Sequence, residues 1–124
     1  MAKILALSIG SMAGGLSRYF LSAWTHRCTG DSFPYGTLAV NMIGCFLIGF
    51  LSSYAKDRWH VHSQEWLFLA VGFLGAFTTF SAFMLETGNL AIDGRTFHAI
   101  LNVVLSLILG FVLFFLGLFL GKWV

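Results

Sequence analysis

Charged side chains divide this chain into long apolar runs. No Asp, Glu, Lys or Arg occurs between Asp31 and Lys56, between Glu65 and Glu86, or between Arg95 and Lys122. A further run, from about Ile4 to Trp24, holds one charge, Arg18. A membrane-spanning helix needs roughly 20 consecutive, mostly apolar residues. The pattern therefore predicts helices at about residues 4–24, 35–55, 66–87 and 97–122, which fill a single membrane domain over residues 1–124. Between them, Asp31 to Pro34 introduces the second helix, with Pro34 at or near its first turn, where a missing N–H costs little. Lys56 to Gln64 forms a polar connector with Asp57, Arg58, His60 and His62, and Gly88 to Gly94 links the third and fourth helices. Short connections make neighbouring helices antiparallel and put both termini on one side.

Composition agrees with an all-α integral membrane protein. Hydrophobic residues make up 58% of the chain and charged ones 10%, with a mean hydropathy of +0.86, outside the range of ordinary soluble domains. The first run is read as a retained helix, because it lacks a charged cluster at its start, contains Arg18 and shows no small-residue cleavage site. Cys28 near the end of the first helix and Cys45 in the middle of the second imply no disulfide framework. Lys and Arg in the loops normally set orientation. Lys3, Lys56, Arg58 and Lys122 fall on the terminal side, against Arg27 and Arg95 on the other. So small a bias is compatible with insertion in both orientations, giving an antiparallel dimer, and equally with one orientation and the termini inside.

The third helix is unlike the others. Gly72 to Phe83 places two glycines, Thr78, Thr79, Ser81 and the phenylalanines at 77, 80 and 83 within one span. Glycine and clustered hydroxyls weaken a helix, and irregular backbone at membrane depth is tolerated only where it is buried in protein or lines a cavity. A break in mid-membrane is expected there. Gly10 and Gly14, Gly44 and Gly49, and Gly117 and Gly121 mark surfaces where helices approach closely, either within one chain or between subunits.

Polar side chains inside the spans are costly and default to functional hypotheses. Thr37, Asn41 and Cys45 recur every four residues on the second helix, and His98, Asn102 and Ser106 do so on the fourth, so each set shares a face. The two stripes could line a common path, or Asn102 and Ser106 could simply bond a neighbouring helix. Amides and hydroxyls donate hydrogen bonds, and no acidic ring suited to a cation path is present. The solute expected is an anion or a small neutral molecule, with Arg18 as a nearby positive charge or as a structural Arg. Phe77, Phe80 and Phe83 form a stripe that is ordinarily packing, yet aromatic rings have positive edges that can meet a dehydrated anion.

Motifs then narrow the field. Gly36-Thr-Leu-Ala-Val-Asn-Met-Ile-Gly44 resembles the GTLxVNxxG signature of the CrcB/Fluc family of small fluoride channels, and Gly75 to Phe83 resembles its GGxTTFSTF signature. Gly14-Gly-Leu-Ser-Arg-Tyr19 is similar to the family's glycine-rich stretch ending in Arg and an aromatic. Ala82 stands where the family most often has Thr, and Ala76 where Gly is frequent. The resemblance implies a dual-topology antiparallel homodimer with two pores. Phe80 and Phe83 are similar to its pore phenylalanines and Asn41 to its pore-lining amide, with Thr79 and Ser81 in the hydroxyl-bearing segment. It also implies a structural sodium ion at the dimer centre, held by backbone carbonyls that map to Gly75 and Thr78. Thr37, Asn102 and Ser106 join the candidate path by spacing and Arg18 as a positive charge near it, and Glu86 stands as a vestibule carboxylate or as a helix-end group at the interface.

The function this implies is passive fluoride efflux in a bacterial inner membrane, which protects the cytoplasm. The partners implied are a second copy, fluoride and the bilayer, with no nucleic acid. Nothing in the residues points to ATP, redox chemistry or a catalytic nucleophile, so no enzyme is expected. A small dual-topology proton-coupled multidrug transporter has similar length, but members of that class resemble one another through a Glu in the first helix, where this chain has Arg18. A non-conducting subunit of a larger membrane assembly would account for the glycines and not for the polar stripes.

Overall fold

The computed structural model describes residues 1–56, 58, 60 and 63–124. Asp57 and His62 of the expected connector lie outside the described residues. The elements run α1 (Ala2–Thr29), α2 (Tyr35–Ala55), α3 (Gln64–Trp66), a π-helical segment (Leu67–Leu74), α4 (Gly75–Phe77), α5 (Phe80–Ile92) and α6 (Thr96–Gly121). Four spans, Ala2–Thr29, Tyr35–Ala55, Gln64–Ile92 and Thr96–Gly121, are long and apolar enough to cross a membrane. This is a multi-pass, all-helical membrane protein.

Helix ends follow local chemistry. Pro34 sits at the N-cap of α2, and the Ser63 hydroxyl accepts the Trp66 N–H (3.2 Å) to start α3. The expected loop from Gly88 to Gly94 is mostly helix, because α5 continues to Ile92. What stops it is Gly94, whose φ of 75° is a left-handed conformation that glycine adopts without steric cost. The Arg95 N–H donates to the Leu90 carbonyl (2.8 Å) and the Gly94 N–H to the Ala91 carbonyl (3.2 Å), the pair of reversed bonds that closes a helix on a left-handed residue. Gly88 has no such role; it lies within the helix.

Packing explains most of the glycines. A Cβ on Gly49 would overlap the Phe114 carbonyl, and Cβ atoms on Gly117 and Gly121 would overlap those of Phe46 and Phe50. Thus α2 and α6 lie backbone to backbone. On α1, Gly10 faces the Phe68 carbonyl and the Phe73 amide, and Gly14 faces the Phe73 carbonyl. Phe68 and Phe73 are five residues apart, the spacing of a π-helical bond, so α1 rests directly on the widened turns of Leu67–Leu74. The glycine patterns considered above for association are therefore used inside the subunit. Val40, Leu51, Ala70, Leu74 and Phe77 form the buried core between α1, α2 and the third span. Large apolar side chains such as Phe111, Phe115 and Phe119 remain exposed on the outside of α6, as a lipid-facing surface requires.

Candidate functional site

The third span changes course at two residues. Thr78 (φ −83°, ψ 159°) and Thr79 (φ −152°, ψ 116°) are extended between α4 and α5. In an uninterrupted helix the Thr79 N–H would bond the Gly75 carbonyl; here it donates to Asn41 Oδ1 at 2.8 Å. Asn41 Nδ2 in turn donates to the Thr79 carbonyl at 3.1 Å. One side-chain amide on α2 thus grips the main chain of Thr79 from both sides, as a neighbouring strand would.

The hydroxyls complete the joint. Thr78 Oγ1 donates to the Leu74 carbonyl (2.9 Å), closing the upstream helix. Thr79 Oγ1 accepts the Ala82 N–H (3.2 Å), capping α5. That second bond diverts the donor that would have served the Thr78 carbonyl. Gly75 and Thr78, the residues matched above to cation-binding carbonyls, lose their usual intrahelical donors to these bonds, and the Ala76 and Phe77 carbonyls lose theirs where the helix stops. Hard cations take oxygen ligands of this kind, so the donor chemistry fits. No group of three or more His, Cys, Asp or Glu side chains that could hold a metal occurs among the described residues.

The break also separates the phenylalanines. Phe77 is core, 4% exposed and stacked on Phe73 with centroids 5.7 Å apart. Beyond the extended pair, Phe80 is 76% exposed while Phe83 is 9% exposed, and their rings lie 5.8 Å apart at 41°. The three-residue repeat is therefore not one continuous stripe.

Two grooves meet at Thr79. The first, about 930 Å³, includes Arg18, Thr37, Thr79, Ser81 and Glu86 and runs toward Asp93 and Arg95 at the loop end. The second, about 440 Å³, includes Asn41, Gly75, Thr78, Thr79, Phe80, Phe83 and Ser106. Cys45 lines it as well. Within the first, Thr37 Oγ1 donates to Glu86 Oε1 at 2.7 Å, whereas the buried Glu86 Oε2 has no hydrogen-bond partner among the described residues. Arg18 is half-buried and makes no ion pair among the described residues. Donors that can meet an anion include the second N–H of Asn41 and one hydroxyl of the Thr79–Ser81 pair, whose oxygens lie 3.3 Å apart with one donating to the other.

Asn102 belongs to neither groove. It is 1% exposed and its Nδ2 donates to Thr87 Oγ1 at 2.8 Å, tying α6 to α5. This is the helix-bonding alternative for Asn102, while Ser106 on the same stripe does line the second groove. His98, half-buried, lies beside the rings of Phe33 and Phe97. Thr87 was absent from the polar residues singled out in the sequence. Its position was nonetheless readable: Thr87 and Asn102 are nearly equidistant from the Gly94 turn, which places them opposite each other in an antiparallel pair.

Comparison with known proteins gives the same picture. The chain is 45% identical over 106 residues to the fluoride-specific ion channel FluC of Dehalococcoides mccartyi, covering 84% of this chain and 80% of that one. It is 41% identical over 102 residues to a protein of that name from Desulforapulum autotrophicum, covering 82% of each. With the one from Geobacter sulfurreducens it shares 44% over 104 residues, 84% of each. The family model described as CrcB-like protein, Camphor Resistance (CrcB), matches residues 5–118, and the chain belongs to that family.

Proposed function

We propose that this chain is a fluoride-selective channel that lets fluoride leave the cell passively and so protects the cytoplasm from it. Two copies assemble antiparallel, in dual topology in a bacterial inner membrane, and form two pores. The observation that carries the reading is the extended pair Thr78–Thr79, in a family whose relatives are named for fluoride. It leaves Phe80 exposed in the groove that Asn41 and Thr79 also line, with the Ser81 hydroxyl bonded to that of Thr79 at the edge of the other groove. Fluoride is small and tightly hydrated, so a path that replaces its water must offer closely spaced donors. Hydroxyls, an amide N–H and positive ring edges supply these without a fixed counter-charge that would trap the ion. Arg18 and Thr37 belong to the approach, and Glu86 to its wall.

A sodium ion is held at the centre of the pair by the Gly75 and Thr78 carbonyls of each subunit, as a structural ion. The support is that the break frees carbonyl oxygens from their helical donors, these two among them, and that a break at membrane depth needs such partners; the choice of Gly75 and Thr78 rests on the family resemblance. Hydrogen fluoride enters as a neutral acid and dissociates inside; the anion then leaves down its gradient.

The test is reconstitution of the protein alone in fluoride-loaded liposomes, with a potassium ionophore and separate readings of external fluoride and chloride. Rapid fluoride release without chloride release is expected, and Phe80→Ile should reduce it greatly while the dimer persists. No release above empty liposomes from folded dimer would sink the channel; unchanged flux in Phe80→Ile would remove Phe80 from the pore.

A further inference from the structure

Phe83 is held by more than its neighbours in the groove. Its carbonyl accepts a hydrogen bond from Thr87 Oγ1 at 2.7 Å, one turn along α5. Because a hydroxyl has one hydrogen, that bond fixes its direction, and Thr87 Oγ1 is left as an acceptor. Asn102 Nδ2 on α6 fills that role at 2.8 Å. The three groups form one directed chain, from a side-chain amide on α6 through a hydroxyl to the main chain of a residue in the second groove.

The surroundings make this chain consequential. Asn102 is 1% exposed, and a buried amide deprived of its partner is costly. Among the described residues it makes the one polar bond between α5 and α6; Leu90 and Ala99, nearer the Gly94 turn, are both buried apolar side chains. A threonine that bonds back to the carbonyl four residues earlier also bends its helix slightly. The first turn of α5 is already cut loose from α4 by the extended pair. Asn41–Thr79 and Thr37–Glu86 hold α5 to α2, and toward α6 the Asn102–Thr87 bond is the directional contact among the described residues.

The geometry points to Asn102 and Thr87 as positioning residues for Phe83: they fix the rotation and bend of α5 and thereby the place of the Phe83 ring against Phe80. Neither side chain touches the ion. The inference rests on the channel reading and adds what keeps the groove's buried ring in register.

The experiment compares variants of the full-length protein in the liposome assay, each collected at the elution position of the parent assembly. Thr87→Val preserves shape and loses the hydroxyl; Thr87→Ser restores the hydroxyl without the methyl group. Fluoride flux should fall about tenfold or more in Thr87→Val, which loses both hydrogen bonds of that hydroxyl, and return to the parent rate in Thr87→Ser. Asn102→Ala should lower it similarly, and the double variant Asn102→Ala with Thr87→Val should be no slower than the worse single one, because both cut one chain. Parent flux in Thr87→Val, a Thr87→Ser as slow as Thr87→Val, or losses that multiply in the double variant would each overturn the inference. Should Thr87→Val not elute as the parent does, Thr87→Ser and Asn102→Ala decide it: parent flux in the first with loss in the second supports the chain, and any other pairing overturns it. Absence of flux from the parent protein would instead sink the channel reading.

Discussion

The two faces of α2 are held by different forces. Toward α6, Gly49 lies under the Phe114 carbonyl, and the Phe46 and Phe50 carbonyls lie over Gly117 and Gly121, with no side-chain hydrogen bond between these helices among the described residues. Toward the third span, Thr37 donates to Glu86 and Asn41 grips Thr79 by two bonds. The first contact joins two regular helices whose backbone groups are satisfied internally, so only close approach remains to be gained, and in lipid that gain is dispersion between well-fitted surfaces. The second joins a helix to backbone that has lost its own partners and must find them in a neighbour. Packing holds what is regular, and polar side chains hold what is broken. Gly44 shows the two devices side by side: one turn from Asn41 on α2, it makes room for the methyl group of Thr78.

The largest effect should come from breaking the packed face. In Gly117→Val the new side chain has nowhere to go, because the obstacle is the Phe46 carbonyl and not a flexible side chain. Overpacking against backbone costs about 3 kcal/mol or more, and α2 and α6 would separate. Little or no folded protein is expected after extraction, judged by elution profile and thermal unfolding in detergent. A variant with the parent's melting temperature would show that the α2–α6 contact yields easily.

On the polar face the outcome should differ in kind. Asn41→Leu keeps the volume and removes both bonds to Thr79, leaving that residue's N–H and C=O unpaired at a cost of about 2–3 kcal/mol. The protein should still assemble, because α2–α6 is untouched, yet fluoride flux should be lost. Asn41→Asp is the sharper variant. Its carboxylate can still accept the Thr79 N–H but sets an oxygen against the Thr79 carbonyl, where Nδ2 had donated. It should therefore also lose flux. Parent flux in Asn41→Asp would mean that the Nδ2 bond does not hold the extended pair.

Much of this division was legible in the sequence, and the limits have physical causes. Charge-free runs mark the spans because the cost of a charge in hydrocarbon does not depend on tertiary detail. The weak point in the third span was visible in Gly72, Gly75 and the hydroxyls. Its anchoring was not, since the Asn41 amide and the Thr79 backbone are 38 residues apart. The phenylalanine repeat misled for a related reason: helical spacing lost its meaning once Thr78 and Thr79 became extended, and Phe77 went to the core. The π-helical turns are not legible in the spacing of apolar residues; what accompanies them is the close approach of Gly10, Gly14 and Gly72 between α1 and the third span, a contact across the fold. Gly88 to Gly94 reads as a link between helices, yet α5 runs through Gly88 to Ile92, because stopping it requires a left-handed residue with reversed bonds, which Gly94 supplies.

Gly88 also provides the finest test of the comparison, since it is a glycine that neither force requires. It is helical, and a Cβ there would meet nothing within 4 Å. Alanine at such a site removes backbone freedom from the unfolded chain and should stabilise the helix by roughly 0.5–1 kcal/mol. Gly88→Ala should thus raise the melting temperature slightly and leave fluoride flux as it was, in contrast to Gly117→Val. A fall in stability would carry specific information. Among the described residues nothing lies within 4 Å of that methyl group, so such a fall would point to a second subunit resting on α5, with Gly88 on a packed face between chains.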